Sequence, residues 1–155
     1  MKNQTLVEKG QNILLGWSIT FILNALVILL LKTFTSHFQG FGIPSTPLPI
    51  EGIIYSCVIA PILEELIFRK IGFSLFRFYP HYEQNKYYIC AVIAALFGFL
   101  HGGIMNVYIQ GVAGFFFGWV YIKNGNSYWS AVITHSLHNT FLLVIIPILV
   151  KSYIG

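Results

Sequence analysis

Residues 13–31 read ILLGWSITFILNALVILLL, a run of 19 positions without one formal charge. As a helix rising about 1.5 Å per residue it is roughly 28 Å long, enough to cross the hydrocarbon of a bilayer. The run is longer than the apolar region of a secretory signal, and Lys32, Thr33 and Phe34 follow it where an Ala-x-Ala cleavage pattern would stand. It reads as a retained membrane anchor behind a short cytoplasmic tail, residues 1–12.

Composition extends that reading to the whole chain. Of the 155 residues, 56% are hydrophobic and only 9% charged, against about a quarter charged in a soluble domain. The expected fold is all-α: an integral membrane multi-helix bundle with about five transmembrane helices. After the breakers of FGIPSTPLP (41–49), a second helix is expected from Ile50 or Glu51 to about Phe78, closed by Tyr79 and Pro80. Pro61 falls inside it and predicts a kink that frees the carbonyl of Cys57. Further spans are expected from Tyr87 to His101, from Asn106 or Val107 to Ile122, and from Tyr128 to Val150. Gly102-Gly103 and KNGN at 123–126 divide them. Residues 50–150 then form one membrane core, without an internal repeat or second domain.

Five crossings place the amino terminus, the 77–87 loop and the 123–127 loop on one side. That side collects Lys2, Lys9, Lys70, Arg77, Lys86 and Lys123, while the other keeps Lys32 and Lys151. The positive-inside bias puts the amino terminus in the cytoplasm and the carboxyl terminus outside a plasma membrane. The net charge of +4 is accounted for by a basic rim against anionic lipid, with no nucleic acid required. Cys57 and Cys90 have no CxxC spacing and read as small apolar fillers. Gly111, Gly114 and Gly118, with Gly98 and Gly102, have the small-xxx-small spacing of close helix crossings, leaving Phe115, Phe116 and Phe117 to face lipid or fill gaps.

Against this background three polar clusters stand out, because ionisable groups in hydrocarbon are costly. Glu64 and Glu65 in PILEELIFRK diverge by about 100° on a helix and must serve different ends. Arg69 lies four residues beyond Glu65, in the favourable order for an ion pair. Glu64 is left free to act as a general base. His101 follows Phe97 by four, so the ring of Phe97 walls one side of the imidazole. His135 and Asn139 share one face of the last helix, with His138 as a possible auxiliary. Brought together, these groups suit attack of water on a carbonyl: Glu64 takes the proton, His101 orients the water or shares the base work, and His135 with Asn139 donates to the oxyanion. The same Glu64, His101 and His135 also suit a catalytic Zn2+ with an open position, although no HExxH is present. Two non-hydrolytic readings stay open: a proton-coupled transporter using these groups as a relay, and a non-catalytic immunity or partner-binding protein.

The three clusters match, in order, EExxxR (Glu64, Glu65, Arg69), FxxxH (Phe97, His101) and HxxxN (His135, Asn139). In this the chain resembles the CPBP family of intramembrane proteases, also called the CAAX-protease, bacteriocin-processing or Abi family, over about residues 50–145. The resemblance implies that Glu64, His101 and His135 are catalytic, that Asn139 assists and that Glu65 and Arg69 support them. It implies a peptide or membrane-protein substrate and a role in peptide processing or bacteriocin self-immunity. The family is labelled metalloprotease by tradition, which leaves the cofactor as none or Zn2+. Many relatives have more helices, which leaves oligomerisation open.

Overall fold

The computed structural model describes residues 4–34 and 48–154. Helix α1 spans Leu6–Phe34, so residues 6–12, expected as tail, are its first turns. Thr5 Oγ1 accepts a hydrogen bond from Glu8 N (3.2 Å), and Glu8 Oε2 accepts one from Thr5 N (2.7 Å). This reciprocal capping box satisfies two otherwise orphaned N–H groups and starts the helix at Leu6. Leu14, Leu15, Ile22, Leu26, Leu29 and Leu30 of α1 face outward, as a lipid-facing surface requires.

Helix α2 is a continuous helical run over 50–76, two residues shorter than expected, in which π-helical turns at Tyr55–Ile59 and Leu66–Ile71 interrupt the α-helix. The first of these absorbs Pro61. Ala60 N donates to Tyr55 O, five residues back, so the next amide in that register would meet Ser56 rather than Cys57. Pro61 has no N–H to offer, and Asn139 Nδ2 donates to Ser56 O in its place at 2.8 Å. The freed carbonyl is one residue earlier than an α-helical count implies.

Helix α3 spans Tyr82–Leu100, starting five residues before the expected Tyr87. Helix α4 spans Ile104–Lys123, and α5 runs over 128–154, with a π-helical turn at Phe141–Ile145 just before Pro147. Ser127 Oγ caps α5 by accepting from Ser130 N at 3.4 Å. Among the described residues the regular structure is helical, without strands. Leu6–Leu31, Ile104–Lys123 and Tyr128–Ser152 are long and apolar enough to cross a membrane. The other two long helices carry charges within their lengths: Glu51, Glu64, Glu65, Arg69 and Lys70 on α2, and Glu83 and Lys86 on α3.

Helix α4 is the central post, packing against α1, α3 and α5. Along an 18-residue apolar stretch of α4, 44% of residues are buried, against 17% in such a stretch of α1. Bare backbone makes this possible. A Cβ on Gly98 would meet Asn106 O at 2.5 Å and Gly111 N at 2.6 Å, so α3 and α4 cross backbone to backbone. Gly111 faces Ala94, Gly114 faces the Phe97 ring, and Gly118 faces Cys90 and Arg69, which is the close crossing expected of that glycine stripe. Gly102 and Gly103 (φ +139° and +88°) turn the chain between the two helices.

Tyr128 Oη donates to Ile62 O at 2.7 Å, tying the start of α5 to α2. Asn12 Nδ2 donates to Asn124 Oδ1 (2.8 Å) and Asn124 Nδ2 to Lys9 O (3.2 Å), so the beginning of α1 meets the α4–α5 connection. Gln4, Lys86 and Lys123 border one recess there. The amino-terminal end, the start of α3 and the 123–127 connection therefore share one end of the bundle, as the charge grouping anticipated. Lys2 and positions 41–47 of the proline-rich linker lie outside the described residues.

Candidate active site

The two glutamates end the α-helical stretch Ala60–Glu65 of α2, between its two π-helical turns. Glu65 is fully buried, while Glu64 keeps 27% of its side chain open, so adjacent carboxylates do have separate surroundings. Glu65 Oε2 stands 2.9 Å from Arg69 Nε, close enough for strong attraction but without the alignment of a hydrogen bond. Arg69 Nη2 donates to Gly114 O at 2.7 Å, and its guanidinium carbon sits 5.8 Å from the centre of the Phe97 ring. The other oxygen, Glu65 Oε1, accepts from His135 Nδ1 at 3.0 Å. One buried carboxylate thus balances Arg69 and fixes the His135 ring, a second task that helical spacing did not reveal.

His101 is held differently. It is the residue just past α3, and its Nδ1 donates to Phe97 O at 2.7 Å. The Phe97 ring lies 4.3 Å from the imidazole, centre to centre, and forms the expected wall. Both histidines therefore spend Nδ1–H on a group that can only accept, a carbonyl for His101 and a carboxylate for His135. Both direct Nε2 at Glu64: His101 Nε2 is 3.6 Å from Oε1, and His135 Nε2 is 3.8 Å from Oε2. These gaps exceed direct hydrogen bonds of about 3 Å and leave one small volume that all three groups face.

That volume opens into a cavity of about 340 Å³, bordered by Glu64, His101, His135, Asn139, Phe97 and Phe117. The seven singled-out positions are accordingly brought together: Glu64, His101, His135 and Asn139 line it, Phe97 walls it, and Glu65 with Arg69 buttresses it from behind. Asn139 commits one amide hydrogen to Ser56 O, leaving the second for a ligand. His138 is 4% exposed and also lines the cavity.

Two contributors escaped the sequence. Phe117 is buried in the core rather than facing lipid, and stacks on His135 with ring centres 4.4 Å apart and planes 19° from parallel. Helix α1, expected only as an anchor, supplies Phe21, Asn24 and Ile28 to the cavity wall. For Asn24 the signal was a lone carboxamide in an otherwise apolar run. For Phe117 there was none, since Phe115, Phe116 and Phe117 are chemically alike.

The donor chemistry of Glu64, His101 and His135 suits a divalent cation. Among the described residues, however, no three His, Cys, Asp or Glu side chains stand in an arrangement that would hold one.

Residues 46–141 match the model of a family described as "Type II CAAX prenyl endopeptidase Rce1-like". The segment holds all three polar motifs and excludes α1. The chain is also similar to a Bacillus subtilis (strain 168) protein named "Putative membrane peptidase YdiL", with 30% identity over 103 residues, covering 66% of this chain and 40% of that protein. The chain thus spans under half the length of the curated relative it matches. No solved structure matches it.

Proposed function

Because the chain belongs to the CPBP family of intramembrane proteases, through the Rce1-like segment at its centre, we propose that it is an intramembrane endopeptidase whose general base is Glu64. The observation that supports this is the carboxylate of Glu64 facing Nε2 of both His101 and His135 at the mouth of one cavity inside an apolar bundle. A water hydrogen-bonded to Glu64 and to His101 Nε2 gives its proton to Glu64 as its oxygen attacks the scissile carbonyl carbon. The negative charge that forms on the carbonyl oxygen is met by the free amide hydrogen of Asn139 and by His135 when its Nε2 is protonated. Glu64 then passes its proton to the departing nitrogen, the C–N bond breaks, and an acid and an amine leave.

The substrate is a peptide or a membrane protein reaching the cavity through the bilayer or from the basic rim. A prenylated CAAX tail, named in the family's description, is one substrate to test; bacteriocin self-immunity and peptide processing are the two biological settings proposed. We place the protein in the plasma membrane with the basic end, including the amino terminus, in the cytoplasm. Zn2+ content of the purified protein, measured beside chelator sensitivity, decides its metal dependence.

The test is co-expression with candidate peptides and Glu64→Gln. The carboxamide keeps the size and removes the base, so cleavage falls about 10²- to 10⁴-fold with no change in melting temperature. Cleavage at the wild-type rate would remove Glu64 from the chemistry.

A further inference from the structure

The wall of the cavity also carries polar groups that the hydrolytic step does not use. Asn24 of α1 is 6% exposed, and its Oδ1 is buried without a hydrogen-bond partner. Gln110 of α4 buries Oε1 likewise, and His138 of α5, 4% exposed, buries an unpartnered Nδ1. All three side chains line the cavity that Glu64, His101, His135 and Asn139 line. Three unpaired polar atoms on three helices, in a bundle with little charge, are unfavourable unless something in the cavity meets them.

Two of the three are carboxamides. Each offers the oxygen acceptor and N–H donors of a peptide group, and so complements an extended main chain whatever its side chains. An acyl or prenyl chain seated against this wall would leave the acceptors unpartnered, and would be disfavoured there for the same reason that they are costly when the cavity is dry. The cavity, about 340 Å³, falls at the lower end of ligand-pocket size. It suits a short stretch of peptide rather than a folded segment.

We infer that Asn24 and Gln110, together with His138, form a main-chain docking shelf that holds the substrate peptide extended in the cavity that Glu64 lines. The inference rests on the peptidase reading and deepens it. It makes α1, which lies outside the matched segment 46–141, part of substrate binding rather than a mere anchor. Recognition by this shelf is independent of substrate side chains, so sequence preference must come from elsewhere in the cavity.

The test uses the full chain in lipid nanodiscs and a capped apolar peptide carrying photo-leucine, with a counterpart N-methylated at alternate main-chain nitrogens. After illumination, labelled residues are identified by mass spectrometry and labelling is titrated against peptide concentration. The unmethylated peptide is expected to label cavity residues. Asn24→Leu and Gln110→Met, which keep size but lose the hydrogen bonds, each raise its half-labelling concentration about tenfold. The methylated peptide labels the wild type about tenfold more weakly than the unmethylated one, a comparison that needs no variant to fold. Equal labelling by both peptides, no cavity labelling, or indifference to both substitutions would overturn the shelf. Glu64→Gln, run in parallel, is expected to keep the labelling while losing cleavage of the same peptide. Equal cleavage by Glu64→Gln and wild type, with the methylation effect intact, would sink the glutamate-base reading and leave the shelf standing.

Discussion

Gly98→Ala probes the crossing on which the site's geometry depends. A methyl group at this position would lie 2.5 Å from Asn106 O, 2.6 Å from Gly111 N and 2.7 Å from Val107 Cα, all backbone atoms that cannot swing aside. Restoring ordinary contact requires α3 and α4 to part by roughly 1 Å, and overpacking of this kind costs about 1–3 kcal/mol. For a chain of this size that is a fall of roughly 3–10 °C in melting temperature. The strain also reaches the chemistry. His101 N donates to Gly98 O at 3.1 Å, and the Phe97 carbonyl beside it holds the His101 ring. A displacement of about 1 Å between His101 and Glu64 lowers the turnover rate about 100-fold. Thermal melting in detergent and cleavage in nanodiscs measure the two effects. Gly10→Ala is the control, because a methyl there meets nothing within 4 Å. A Gly98→Ala protein that melts and cleaves like the control would refute backbone contact at this crossing.

Arg69→Met should destabilise the bundle by about 3–5 kcal/mol, since it strands the buried Glu65 carboxylate, whereas Glu65→Leu combined with Arg69→Met should recover part of the loss; chemical denaturation of the three proteins checks the order. Asn139→Ala leaves Ser56 O without its donor, with an expected cost of about 1–3 kcal/mol seen as a lower melting temperature even where no substrate is present. Phe117→Leu removes the flat stack on His135, worth about 0.5–1.5 kcal/mol, and is expected to lower kcat more than it raises KM in a steady-state assay.

Much of the site was legible from spacing alone. Adjacent glutamates on a helix had to diverge, Arg69 had to return to Glu65, and Phe97 had to cover His101, because these relations are local to one helix. Relations between helices were not legible. Nothing in the sequence says that Glu65 also receives His135, because that hydrogen bond depends on how α5 rotates against α2. The break in the hydrogen-bond ladder at Pro61 was readable, but the freed carbonyl was not. The register there is five residues rather than four, which moves the vacancy from Cys57 to Ser56 and gives Asn139 its partner. The start of α1 was written in Thr5 and Glu8 as a capping box, yet counting only the uncharged run 13–31 hid it. That count also hid Asn24, whose cavity-facing side shows only once α1 is docked on α4 and α5.

Whether Glu64 and His135 belong to one catalytic centre is settled most directly by the turnover rates of Glu64→Gln, His135→Ala and the double variant. Groups acting as a unit are non-additive, so the double variant is expected to cleave no more slowly than the worse single one. A double variant slowed by the product of the two single effects would mean that the two side chains contribute independently, and would contradict a common catalytic centre.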